Sequence, residues 1–191
     1  MFERLTKDAR AVVQGALGYA DEGGARSVDA GHLLLALLDR EGSRGSFALS
    51  ALGLARTREP VRQAVAEARR RAGLTRADAD ALAGLGIDVS EIVARVEEAH
   101  GVGAMTGDRV GGGRGRGRRR PGFSREAKGV LERALRVAHA RQERFVGDEH
   151  LLLALTVLPG VAGEVLGDHG VTFEGVSRVC PPTRPTRSAG G

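Results

Sequence analysis

Tryptophan is absent from this chain, and aromatic residues of every kind make up only 3% of it. The core of a 191-residue protein must then be filled by Leu, Val and Ala, a choice that favours helices over sheets. A single cysteine, Cys180, excludes an intrachain disulfide and any cysteine-cluster metal site. No apolar run approaches the ~20 residues that a membrane span needs. The opening residues, MFERLTKDAR, carry charge from position 3 and do not resemble a signal peptide. The expectation is a soluble cytoplasmic protein with no membrane partner. What is present is an ordinary globular balance, 41% hydrophobic and 28% charged. The net charge is +5, and a local arginine run carries much of it.

The dominant feature is an internal repeat. Shifting the chain by 118 residues aligns residues 5–37 with 123–155 without a gap, and thirteen of the 33 positions are identical. The shared positions include Ala9/Ala127, Val12/Val130, Ala16/Ala134, Leu17/Leu135 and Ala20/Ala138. GHLLLAL at 31–37 answers EHLLLAL at 149–155, so His32 matches His150 while Gly31 stands against Glu149. Each copy reads as helices. Thr6 and Ser124 are N-cap candidates, followed by an apolar stripe at i, i+3, i+4, i+7. A short extended link (RSV or RFV) leads to an almost wholly apolar helix, the expected buried centre of the unit. Two shorter helices follow, with LAGLGIDVSEIVARVEEAHG (82–101) set against LGDHGVTFEGVSRV (166–179).

This reading divides the chain into repeat 1 (1–101), a Gly/Arg linker (102–122), repeat 2 (123–180) and a tail (181–191). Within repeat 1, residues 55–81 have no counterpart in the second copy and are expected to form an exposed, Arg-rich helical insert. Glycine entropy and arginine repulsion oppose order in the linker. The tail, PPTRPTRSAGG, is expected to be disordered.

The pieces MFERLTKDARAVV, GHLLLALL, FSREAKGVLERAL and GDEHLLLAL resemble the Clp N-terminal (Clp repeat) domain of the ClpA/ClpC-type AAA+ unfoldases. The resemblance implies an all-α fold of duplicated four-helix units forming a pseudo-twofold eight-helix domain, here with an extra helical insert in the first repeat. In that family the domain sits on the ATPase ring and receives adaptors or marked substrates without catalysis of its own. The partners implied are Clp unfoldase or protease components and their substrates, with no cofactor. An unfoldase also needs the phosphate-cradling GxxxxGK[ST] loop. GGGRGRGRRRPG at 111–122 lacks its Lys-Ser/Thr pair, so the expectation is a receptor without a motor.

In ClpC-type members the domain can bind phosphorylated arginine, through a small hydroxyl residue at the start of helix one and a Glu before the His. A helix N-terminus offers amides and a positive dipole end to the phosphoryl group, and a carboxylate pairs bidentately with the guanidinium. Carried over, this gives Ser124 and Glu149 in the second copy. Thr6 remains in the first copy, where Gly31 replaces the Glu, and restoring a Glu there is expected to restore that site. Helix capping alone also accounts for Thr6 and Ser124, the two histidines fit buried hydrogen-bonded roles, and Glu149 also fits a plain exposed charge. The resemblance further implies a docking groove for cyclic peptide antibiotics at Phe2, Arg10, Phe123, Lys128 and Glu132. Phe2 and Phe123 are there expected as a pair related by the pseudo-twofold, with a hydrophobic staple as the alternative. The run RGRGRRR at 114–120 supports a rival reading, a regulator that binds nucleic acid by counterion release. No aromatic is interleaved with it for base stacking, and a solvated linker is the favoured account of it.

Overall fold

The structure, a computed structural model, describes residues 2–54, 58–101, 104–105 and 121–183. The arginine run therefore lies outside the described residues, as do positions 184–191 of the tail. After a 3-10 turn at Phe2–Arg4, the chain forms α1 (Lys7–Glu22), β1 (Ser27–Val28), α2 (Ala30–Leu38), α3 (Arg44–Ala51), α4 (Arg58–Arg70), α5 (Arg76–Gly84) and α6 (Val89–His100). The second half adds β2 (Gly122–Phe123), α7 (Arg125–Ala140), α8 (Asp148–Val157), α9 (Val161–Asp168) and α10 (Phe173–Val179). The described part is all-α apart from the two short strands. No single helix within it is long and apolar enough to cross a membrane.

The apolar helices of the two copies, α2 and α8, form the centre. Leu33, Leu34, Leu37 and Leu38 are fully buried, and so are Leu151, Leu152, Leu153 and Leu155. The stripe predicted on α1 packs on α2, and its repeat on α7 packs on α8. The repeats then exchange their ends. Leu5, ahead of α1, bridges in parallel to Val146, the link residue of the other copy. Phe123, ahead of α7, pairs in parallel with Val28. The backbone bonds match as well: the Thr6 N–H donates to the Val146 carbonyl at 2.9 Å, and the Ser124 N–H to the Val28 carbonyl at 2.8 Å. Both partners obey the same 118-residue shift, so the pseudo-twofold is visible in individual hydrogen bonds. It makes Leu5, not Phe2, the mate of Phe123, and the expected Phe2–Phe123 pair is not a symmetric one.

The shorter helices also cross over. From repeat 1, α3 packs on α8 and α10, and α4 packs on α9 and α2; α10 in turn packs on α8. By this pattern α4 is the counterpart of α10. Its Val61, Val65 and Ala68 fall at i, i+4, i+7 and are buried. The exposed insert expected at 55–81 therefore does not hold for 58–70, and 82–101 is not the counterpart of 166–179. The surplus pair is α5 with α6, which raises the count among the described residues to ten α-helices where the resemblance implied eight besides an insert. Nothing on α5 is buried, and α6 buries only Val89 and Val93. Polar bonds tether this hairpin: the Arg76 N–H donates to Glu164 at 2.8 Å, and Arg70 reaches Glu97 at 3.0 Å.

Candidate functional site

The exchange of ends decides which candidate residues meet. Because Leu5 lies beside Val146, the start of α1 faces the start of α8, and Thr6 lines one open pocket with Glu149. Ser124, on the far side of the pseudo-twofold, sits with β1. The pairing of Ser124 with Glu149 is thus replaced by Thr6 with Glu149, one residue from each copy. Both hydroxyls also cap their helices: Thr6 Oγ1 accepts from the Ala9 N–H at 3.2 Å, and Ser124 Oγ from the Ala127 N–H at 3.1 Å.

The pocket encloses about 340 Å³ and is lined by Thr6 and Asp8 of α1, Arg44 of α3, Glu143, Phe145, the first residues of α8, and Thr183. Glu149 is not a plain exposed charge: it is 4% exposed, and its Oε1 lies 2.9 Å from Arg44 Nη1. The same guanidinium reaches Glu143 at 3.4 Å. Burial, reinforced by the negative charges of Asp148 and Glu143, pushes the Glu149 carboxyl up to about 7. Burial acts on Glu143 in the same sense, but hydrogen bonds from Thr183 and the charges of His150 and Arg44 outweigh it and hold Glu143 below its ordinary value.

Asp148 turns away from this pair to join the repeats. Its Oδ2 accepts from the Ser43 hydroxyl and from the Gly45 N–H at 3.0 Å, at the N-terminus of α3, where a carboxylate is favoured. A Cβ at Gly45 would come within 2.6 Å of that oxygen, so this contact requires a glycine.

The repeated histidines hold helix starts. His32 Nδ1 accepts from the Asp29 N–H at 3.1 Å while Asp29 Oδ1 accepts from the His32 N–H at 2.9 Å, a reciprocal capping pair. His150 Nδ1 accepts from the Gly147 N–H at 2.9 Å. In a neutral ring the proton then sits on Nε2, and in His150 that nitrogen meets Glu143. Burial lowers the pKa of His150, with Arg141 and Arg44 adding to it against the pull of Glu143. Glu143, Glu149 and His150 cluster as metal ligands would. As arranged, however, His150 has no lone pair to offer, and Arg44 already pairs with both carboxylates.

The pseudo-symmetric position is filled differently. Arg69 of α4 donates to both oxygens of Asp29 at 2.8 Å. Burial works to raise Asp29, but the bond with His32 and the Arg69 charge bring it down to about 2. A Cβ on Gly31 would meet Val65 Cγ1 at 3.3 Å and Asp29 Oδ1 at 3.2 Å. Gly31 is therefore where α4 lies against α2, and a Glu there would meet α4 instead of completing a site.

The other candidates do not join the pocket. Arg10, Lys128 and Glu132 are exposed on α1 and α7, and Phe123 is half-buried in β2 against the core. Of Phe2 the structure describes only the backbone turn. Sequence reasoning missed Arg44, Glu143 and Thr183. The pair Asp148-Glu149 ahead of an apolar run carried a signal, but nothing around Arg44 announces its role.

Residues 122–181 match the family model described as the Clp repeat (R) N-terminal domain. Among solved structures the chain is similar to the N-terminal domain of the caseinolytic protease associated chaperone ClpD from Arabidopsis thaliana. Identity is 19%, coverage is 94% of this chain and 93% of that one, and the TM-score is 0.50. No curated protein sequence matches. Residues 122–181 thus match a Clp repeat, and residues 5–37, which repeat 123–155 in sequence, pack with them about a pseudo-twofold.

Proposed function

We propose that this protein is a non-catalytic receptor of the Clp protease system and that its pocket takes arginine side chains, phosphoarginine-marked chains among them. The supporting observation is the convergence of two poorly exposed carboxylates, Glu143 and Glu149, around one guanidinium in an open pocket at the start of α1. A ligand guanidinium would take the place that Arg44 now holds on Glu149. The displaced Arg44 and the first turn of α1 would then face a phosphoryl group. Asp8 and the two glutamates make the pocket acidic on balance, so the guanidinium supplies the attraction and the phosphoryl group is the secondary feature.

The test is calorimetric titration of phosphoarginine into the purified protein and into Glu149→Ala. Micromolar to millimolar binding that falls at least tenfold in the variant is expected. Equal affinity in the two proteins would show that Glu149 is no part of a site.

A further inference from the structure

The pocket has a resident. α10 ends at Val179, and Pro181 and Pro182 lack the N–H that a continuing helix requires. The chain leaves the helix there, and Thr183 lines the pocket. Residues 181–183 are exposed, so burial does little to fix them there. Hydrogen bonds to charged groups hold them instead. Arg141 donates to the Cys180 carbonyl at 3.0 Å, and Arg44 Nη2 to the Pro181 carbonyl at 2.6 Å. Arg44 Nη1 donates to Thr183 Oγ1 at 2.6 Å, and the Thr183 N–H to Glu143 Oε1 at 2.6 Å.

We propose that Pro181–Thr183 is an autoinhibitory strap, a built-in peptide that closes the arginine pocket and must leave before a peptide ligand enters. The proposal rests on the receptor reading above and adds its regulation. The groups that hold the strap are the groups a ligand needs. Glu143 accepts from the strap's main chain, and Arg44 binds two strap oxygens while its guanidinium lies on Glu149. A guanidinium arriving at Glu149 displaces Arg44 and so loosens the strap. A strap that leaves frees Glu143 and lets Arg44 swing out. Strap and ligand therefore exclude each other, and the coupling is reciprocal. In sequence the strap runs on into arginine, since PTR occurs at 182–184 and again at 185–187. Exposed bonds without apolar burial open locally far more readily than the core, as a reversible closure requires. Phe145 at the pocket wall, half exposed, and Phe47, one turn along α3 from Arg44 and 61% exposed, give an incoming peptide apolar surface beside the acidic pocket.

The experiment uses three proteins: the full chain, the chain ending at Cys180, and the full chain with Thr183→Pro, which loses both the N–H and the hydroxyl. Phosphoarginine is the probe. Affinity should rise about tenfold on truncation and severalfold in Thr183→Pro. In the full chain, saturating probe should speed exchange of the Thr183 amide hydrogen at least tenfold. Equal affinities in the three proteins would overturn the strap while leaving the receptor reading in place. If none binds the probe, the receptor reading fails, and amide exchange alone judges the closure. A Thr183 amide protected in the full chain and released by Glu143→Ala supports the strap. An amide that exchanges at the rate of an unstructured peptide overturns it.

Discussion

Glu149 and His150 are neighbours on one helix whose titrations act on stability in opposite directions. The ordinary value for a glutamate is 4.5, and in the folded protein Glu149 lies near 7. The folded state thus keeps a proton that the unfolded chain has lost, and Glu149's contribution weakens as pH rises from about 4.5 through 7. His150 is lowered from 6.5, so the unfolded chain takes up a proton first and stability falls as pH drops below that value. The pH profile of the parent protein blends the two. Glu149→Gln separates them, since an amide keeps the shape and cannot ionise. Its urea midpoint relative to the parent should shift upward between pH 5 and pH 8. A difference that stays constant over that range would mean that Glu149 ionises at its ordinary value. The sequence marks this residue as special by its mismatch with Gly31. Its burial was not legible, because Arg44 and Glu143, which surround it, come from segments 105 and 6 positions away by subtraction in the sequence.

Among elements, α4 shows how composition misleads when periodicity is set aside. REPVRQAVAEARR is rich in arginine, and on charge alone it reads as a solvated insert. Its Val61, Val65 and Ala68 nevertheless lie on one buried stripe, and α4 packs on α9 and α2. The hairpin of α5 and α6 is the reverse case: LAGLGI looks like core, yet Leu85 is 78% exposed. One chemical change distinguishes the two. Val65→Asp places an unpaired charge in the interior and should cost about 3 kcal/mol or more in urea unfolding. Leu85→Asp, at a surface position, should remain within ~0.5 kcal/mol of the parent. Comparable losses at both sites would mean that the hairpin packs as tightly as α4. The helices α1, α2, α7 and α8 were legible, since α1 and α7 repeat a full stripe behind a capping residue and α2 and α8 repeat one apolar block. The shorter ones were also expected as helices; what was not legible was that α4, and not 82–101, answers α10, because seven residues hold too few turns for a stripe to identify the match.

At the scale of the whole molecule, duplication does not produce two independent halves. Each repeat lends the other the residue ahead of its first helix, at Leu5–Val146 and Val28–Phe123, and α3 and α4 of the first copy pack on helices of the second. Asp148 caps α3 across the boundary. The pocket is itself a product of this exchange, with Thr6 and Arg44 from one copy and Glu149 from the other. An alignment of the copies finds equivalent residues but not neighbouring ones, and for that reason Ser124 was paired with Glu149. A half-molecule exposes the apolar faces of α2 or α8 and leaves strand residues unpaired, so neither half retains a complete core. Fragments 1–105 and 121–183 should each lack a cooperative thermal transition by circular dichroism, and a transition should return when they are mixed at equal concentration. A fragment 121–183 that melts cooperatively alone, with the mixture adding nothing, would mean that the second repeat is self-sufficient and that the pocket joins two separately stable units.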